Sequence, residues 1–242
     1  MSVPEAQPLK LLLPGTLCDS RLFAPMLEQW PAGGMPVAGA RALDLFALDE
    51  AQAWWERQLP GLPEQMDLVG FSLGGVLALA LLRLAPQRVR RLALVAASAL
   101  GGTPAHESRV AAQIAQWRAQ GPAAVARQMA EQAVPAEGRT PALTQCLEAM
   151  AEATPEAAYL AQARLNATRP DGLETLARWG GPLLLLCGEQ DPWCGPATQN
   201  QTLSYRPDAG CIRLAGAGHY LPLERPAAVA VALASFFRTD TP

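Results

Sequence analysis

The chain has 242 residues, of which half are hydrophobic and 17% are charged, against roughly 25% charged in average soluble proteins. That composition excludes intrinsic disorder and suits one α/β domain with a generous core. The 19 Lys+Arg against 22 Asp+Glu leave a net charge of −3, which gives no support to binding a nucleic-acid backbone.

Residues 1–8 contain neither a basic stretch nor a long apolar one, so no signal peptide is expected. The longest apolar runs, 76–82 and 183–187, fall far short of the ~20 residues that span a membrane. Five cysteines (Cys18, Cys146, Cys187, Cys194 and Cys211) are odd in number and scattered. They are expected to be the reduced thiols of a cytoplasmic protein. The two histidines are His106 and His219, and neither Cys187 nor Cys194 has ligand-spaced neighbours. No metal and no cofactor is expected.

In chain order, the continuous apolar run 9–13 reads as a buried parallel strand, and 38–43 as a weaker one. A second buried strand covers 66–71, and a helix over 73–85 is closed by Pro86. The run 92–97 is a third buried strand. From there to residue 183 the connection far exceeds the dozen or so residues of a parallel crossover. It is helical in pattern: Val110, Ile114 and Trp117 share one face, as do Val125 and Met129, then Leu143, Leu147 and Met150. Breaks fall at Gly121-Pro122, at 135–141 and at Thr154-Pro155. A fourth buried strand covers 183–187, a weaker one 211–214, and a final helix 226–237 carries proline in its first turn. The expected organisation is a sheet core of 1–100 and 175–242, with 101–174 inserted as a helical cap.

Gly70-Phe71-Ser72-Leu73-Gly74 matches G-x-S-x-G, in which serine sits on a sharp strand-to-helix turn. A buried strand runs into Ser72 and a strong helix starts at Leu73. The strained turn requires that the positions two residues away lack side chains, as Gly70 and Gly74 do. A serine hydroxyl needs a base. His219 qualifies, in the glycine-rich stretch Gly216-Ala217-Gly218-His219 between the last strand and the last helix. His106, at the start of the insertion, reads as an exposed surface histidine. The base needs an acid to orient it. Asp191, just beyond strand 183–187, is placed to supply it, while Glu189 reads as solvated.

In the order Ser72, Asp191, His219 these residues resemble the α/β-hydrolase family. The likeness covers nearly the whole chain: strand–elbow–helix, helical cap, the Gly188 to Asp191 turn and the Gly218-His219 loop. Within the family the chain looks similar to small carboxylesterases that cleave pimeloyl-carrier methyl esters and to enol-lactonases. The resemblance implies an α/β fold with a mainly parallel sheet of about six strands, helices on both faces and a helical cap. Many relatives begin with an edge hairpin, which the residues before position 9 are too few to form. A wholly parallel sheet is therefore expected. The resemblance also implies an oxyanion hole from the backbone N–H groups of Leu73 and Thr16, with Leu17 as the alternative to Thr16. Where many relatives have His-Gly in that loop, this chain has Pro14-Gly15.

The implied activity is a serine hydrolase acting on a small-molecule carboxylic ester through an acyl-enzyme. The same triad could open a lactone, a thioester or a carbon–carbon bond. A non-catalytic member binding a small ligand is the remote alternative. Residues 101–171 carry six arginines and seven acids, so docking of an acidic carrier protein gains no support from cap charge. Trp117, Trp179, Trp193, Met129 and Met150 are candidates to line an acyl pocket or to serve as plain core.

Overall fold

The computed structural model describes residues 8–31 and 40–238. Six strands form one sheet in the order β2-β1-β3-β4-β5-β6, every neighbouring pair parallel. They are β1 (Leu9–Leu13), β2 (Ala40–Ala42), β3 (Met66–Phe71), β4 (Val89–Val95), β5 (Leu183–Gly188) and β6 (Gly210–Leu214). The expected sheet therefore forms, with helices on both faces and a helical cap. Positions 38 and 39 of the expected strand 38–43 lie outside the described residues, as do positions 1–7 of the N-terminal stretch.

The unbroken apolar runs have a simple cause. Successive strand residues point to opposite faces, and here both faces are covered. Leu11, Leu13, Leu68, Leu92, Leu94, Leu183 and Leu185 join one buried cluster, with α2 (Ala51–Gln58), α3 (Leu73–Leu84) and α8 (Leu173–Trp179). Leu12, Val69, Phe71, Ala93, Val95, Leu184 and Leu186 join the other, with α1 (Ala24–Glu28) and α11 (Pro226–Arg238).

β4 starts three residues earlier than the apolar pattern suggests and ends at Val95. Its first turn of sequence hid behind charge. Arg90 donates twice to the fully buried Asp67 (3.0 and 2.8 Å), and Arg91 reaches the Phe236 carbonyl at 2.7 Å. Ala96 leaves the strand at φ 45°.

The insertion between β4 and β5 contains α4 (Pro104–Gln120), α5 (Pro122–Ala133), α6 (Pro141–Ala153) and α7 (Glu156–Thr168). Helix ends match the punctuation in the sequence: Gly121 closes α4 at φ 84°, and proline opens α4, α5 and α6 at their first turns. The buried faces of these helices, Trp117, Val125, Met129, Leu147 and Tyr159 among them, merge with the α1–α11 cluster. The remaining helices, α9 (Pro196–Tyr205) and α10 (Leu221–Glu224), flank β6. Among the described residues, no helix is long and apolar enough to cross a membrane.

Candidate active site

Ser72 stands at the carboxyl end of β3, a central strand, with φ 51° and ψ −114°. For a residue with a Cβ this backbone costs on the order of 1–3 kcal/mol and is held by its surroundings. The Ser72 N–H donates to the Val95 carbonyl at 3.0 Å, and its own carbonyl accepts from Gly75 at 2.9 Å. A Cβ on Gly70 would overlap the Gly75 backbone, and one on Gly74 would overlap the Leu13 carbonyl. The two glycines flanking Ser72 are therefore steric requirements of the turn.

His219 is reached from the far side of the chain. Its Nε2 lies 3.0 Å from Ser72 Oγ, and its Nδ1 lies 2.8 Å from Asp191 Oδ2. The loop comes this close to β5 because Gly188 and Gly218 lack side chains. A Cβ on Gly188 would meet the Ala217 and Gly218 carbonyls, and one on Gly218 the Ala133 carbonyl. That same Ala133 carbonyl, from the last turn of α5, accepts the His219 N–H at 2.8 Å. The imidazole is packed between Phe71 (ring centroids 5.3 Å apart), Trp193 (4.8 Å) and Tyr220 (5.5 Å).

Asp191 uses both carboxylate oxygens. Oδ1 accepts from the Trp193 and Cys194 N–H groups at 2.8 and 3.0 Å, leaving Oδ2 for His219. Burial alone would raise its pKa. The nearby His219, the hydrogen bond to its ring and the two backbone N–H groups outweigh that, and the carboxyl is held below its ordinary value. An ionised Asp191 fixes the proton of a neutral imidazole on Nδ1, so Nε2 is left to accept from Ser72. Glu189, the rejected acid, is exposed.

Cys194 also comes within 4.8 Å of Asp191 and His219, a trio with metal-ligand chemistry. Its thiol is buried and pushed well up by desolvation, while the Asp191 and His219 donor atoms are committed to one another, to backbone N–H groups and to Ser72. The cluster is organised as a hydrogen-bond relay. It does not fit an ion.

Thr16 lines the cavity beside Ser72, and Gly15 permits the approach: a Cβ there would press on Phe71 and Ser72. Among the described residues, neither the Thr16 N–H nor the Leu73 N–H has a hydrogen-bond partner. Leu17 differs. It sits at φ 59°, and its N–H donates to the side chain of the buried Gln162 on α7 at 2.9 Å.

The cavity has a volume of about 50 Å³. Phe71, Leu73, Val76, Met129 and Trp193 form its apolar part. Of the aromatic and methionine candidates, Trp193 and Met129 thus line it. Trp117 instead stacks on Tyr159 at 4.3 Å, Trp179 packs under Arg206, and Met150 is buried with its sulfur accepting the Asp19 N–H. His106 is not the exposed surface residue expected. It lines the same cavity, with Nδ1 accepting the Thr103 N–H at the start of α4.

Two buried residues carry no signal in the sequence. One is Gln162. The other is Glu224 on α10, whose Oε2 accepts the Gly218 N–H at 2.7 Å, next to His219. It is the last residue of α10, five positions after the histidine.

Residues 11–232 match the family described as alpha/beta hydrolase family. No curated protein matches the chain significantly. Among solved structures, it is similar to a thermophilic esterase from Thermogutta terrifontis, at 23% identity over 96% of this chain and 90% of that one, TM-score 0.81. It is similar also to the enol-lactonase from Burkholderia xenovorans LB400, at 17% identity over 98% and 94%, TM-score 0.79. A third is a 2-hydroxy-6-oxo-6-phenylhexa-2,4-dienoate hydrolase from Rhodococcus sp. strain RHA1, at 20% over 96% and 91%, TM-score 0.74. At these identities the structural likeness is one of fold, and the match over most of the sequence carries the assignment: the chain belongs to the alpha/beta hydrolase family.

Proposed function

We propose that the protein is a serine hydrolase of carboxylic esters working through Ser72, His219 and Asp191. The observation that supports this most is the unbroken relay from Ser72 Oγ through both imidazole nitrogens to Asp191, beside two unpartnered backbone N–H groups. In the first step His219 Nε2 takes the Ser72 proton as Oγ attacks the ester carbonyl. The carbonyl oxygen becomes an oxyanion held by the N–H groups of Leu73 and Thr16. Loss of one such donor costs about 3 kcal/mol of transition-state stabilisation. Collapse returns the proton from His219 to the leaving alcohol and forms an acyl-serine. Water, deprotonated by His219, then attacks the acyl group and releases the acid. Thr16 is preferred to Leu17 because the Leu17 N–H is already engaged by Gln162.

The likeness to an enol-lactonase supports a second reading by the same steps. On a lactone the leaving alcohol stays tethered, and hydrolysis opens the ring.

The test combines labelling with turnover. A fluorophosphonate probe should modify Ser72 in the parent, and p-nitrophenyl esters of short acids should be hydrolysed. Ser72→Ala should abolish both by several orders of magnitude, because the triad acts as a unit. Retention of more than a few per cent of the rate would overturn the nucleophile. A protein that hydrolyses nothing and takes no label would favour a non-catalytic ligand-binding member of the fold.

A further inference from the structure

The cavity over Ser72 has an uneven charge. Arg109 of α4 and Arg169, just past α7, both line it, and no aspartate or glutamate does. Of the two acids behind it, Asp191 is spent on His219 and two backbone N–H groups, and Glu224 accepts the Gly218 N–H. Arg169 is buried and tied to neutral acceptors: Nε to the Leu100 carbonyl at 2.9 Å, and Nη1 to both oxygens of Asn166. Its Nη2 faces His106 Nε2 at 3.3 Å. Arg109 is half-buried and, among the described residues, has no hydrogen-bond acceptor. Its guanidinium lies 5.6 Å from the centroid of the Trp193 ring, which in turn packs edge-on against His219.

Cations shielded from water without counter-charge are unfavourable, and these two are held apart from any carboxylate of the protein. Desolvation lowers the pKa of both arginines and of His106 beside them. A planar fork of N–H donors fits a carboxylate with two parallel hydrogen bonds. Gln113, one turn along α4 from Arg109, adds a neutral polar group on the same wall.

We propose that Arg109 and Arg169 form a carboxylate-binding subsite under the cap, so that the substrate is an ester or lactone of a short-chain acid bearing a second, free carboxylate. This rests on the serine-hydrolase reading and names its substrate class. Carboxylate binding supplies the missing counter-charge, so a neutral acyl chain of equal length forgoes an interaction that the charged one makes.

The experiment compares mono-p-nitrophenyl glutarate with p-nitrophenyl pentanoate, which has the same acyl length and no charge. In the parent, kcat/KM for the charged ester should exceed that for the neutral one by about 10- to 100-fold, as expected for a hydrogen bond to a charged group. High salt should erode the ratio. In Arg109→Gln the ratio should collapse, and Arg109→Lys, which keeps charge without the fork, should restore part of it. Equal rates in the parent, or a preference for the neutral ester, overturn the subsite. So does a ratio that survives Arg109→Gln. Because Arg169 also ties Leu100 and Asn166, the decisive variant is at Arg109.

Binding is read separately on Ser72→Ala protein, as thermal stabilisation by glutarate, by the uncharged pentanamide or by inorganic phosphate. Stabilisation by glutarate alone, lost in the Ser72→Ala, Arg109→Gln double variant, supports the subsite even where neither ester is hydrolysed. That outcome would sink the hydrolase reading and spare this one. A larger response to phosphate overturns the carboxylate assignment.

Discussion

The backbone N–H of Leu17 donates to the side-chain oxygen of Gln162, 145 residues away on a cap helix, at 2.9 Å. Leu17 holds φ 59°, and Gln162 is 1% exposed. The bond fixes the turn after Thr16 from above, so the cap takes part in shaping the loop that, in the proposed mechanism, supplies an oxyanion donor. Gln162→Met keeps the volume and removes the acceptor. The orphaned N–H costs about 1–3 kcal/mol, and the loop relaxes. We expect kcat to fall by up to about 100-fold with KM nearly constant, because the oxyanion exists only at the transition state. A rise in KM at constant kcat would show that Gln162 serves binding instead.

Asp191 faces His219 with one oxygen and two backbone N–H groups with the other. Asp191→Asn removes the charge and sets the wrong imidazole tautomer, which should cost up to about 10⁴ in kcat. Independently, His219→Gln should abolish turnover, because Nε2 is the acceptor for the Ser72 proton. His106→Gln should retain it. The opposite pattern would mean that the wrong histidine has been assigned.

The closeness of Gly218 to the Ala133 carbonyl gives a steric test. Gly218→Ala would push the loop away from the cap and break the His219 N–H bond to that carbonyl. A shift of about 1 Å at the base can cost 10²-fold in rate. Gly61→Ala is the control, since a Cβ there meets nothing within 4 Å. Stopped activity assays and melting curves on both should show a rate loss confined to Gly218→Ala. Equal rates would mean that the loop tolerates displacement.

Glu224 sets a pH dependence of stability. Burial raises its pKa above the ordinary 4.5, although the Gly218 and Tyr220 N–H groups oppose the rise. The folded chain thus keeps a proton that the unfolded chain gives up above pH 4.5. On this account stability is greatest below that pH and declines as pH rises through the raised value. Asp191, held below 3.8, works in the other direction: its contribution is present above 3.8 and is lost as pH falls through its lowered value. Glu224→Gln retains an acceptor for Gly218 and removes the titration. Its Tm should therefore decline less than the parent's as pH rises from 4.5 to about 7. Parallel Tm–pH curves would rule out a protonated Glu224.

The strands, the elbow and the order of Ser72, Asp191 and His219 were legible in the sequence because each is a local pattern. A two-sided buried strand needs an unbroken apolar run, and a sharp turn at Ser72 needs glycine at positions 70 and 74. Cap helices announced themselves through period and punctuation. The early start of β4 did not, because Arg90 and Arg91 are satisfied by Asp67 and the Phe236 carbonyl, partners distant in sequence. Gln162, Glu224, Arg109 and Arg169 were silent for the same reason: their surroundings come from segments that meet only on folding. A polar side chain looks alike in sequence whether it faces water, holds an oxyanion loop or waits over a serine. Only the tertiary structure decides which neighbours remove its water, and burial and pairing, not residue type, determine what that side chain does.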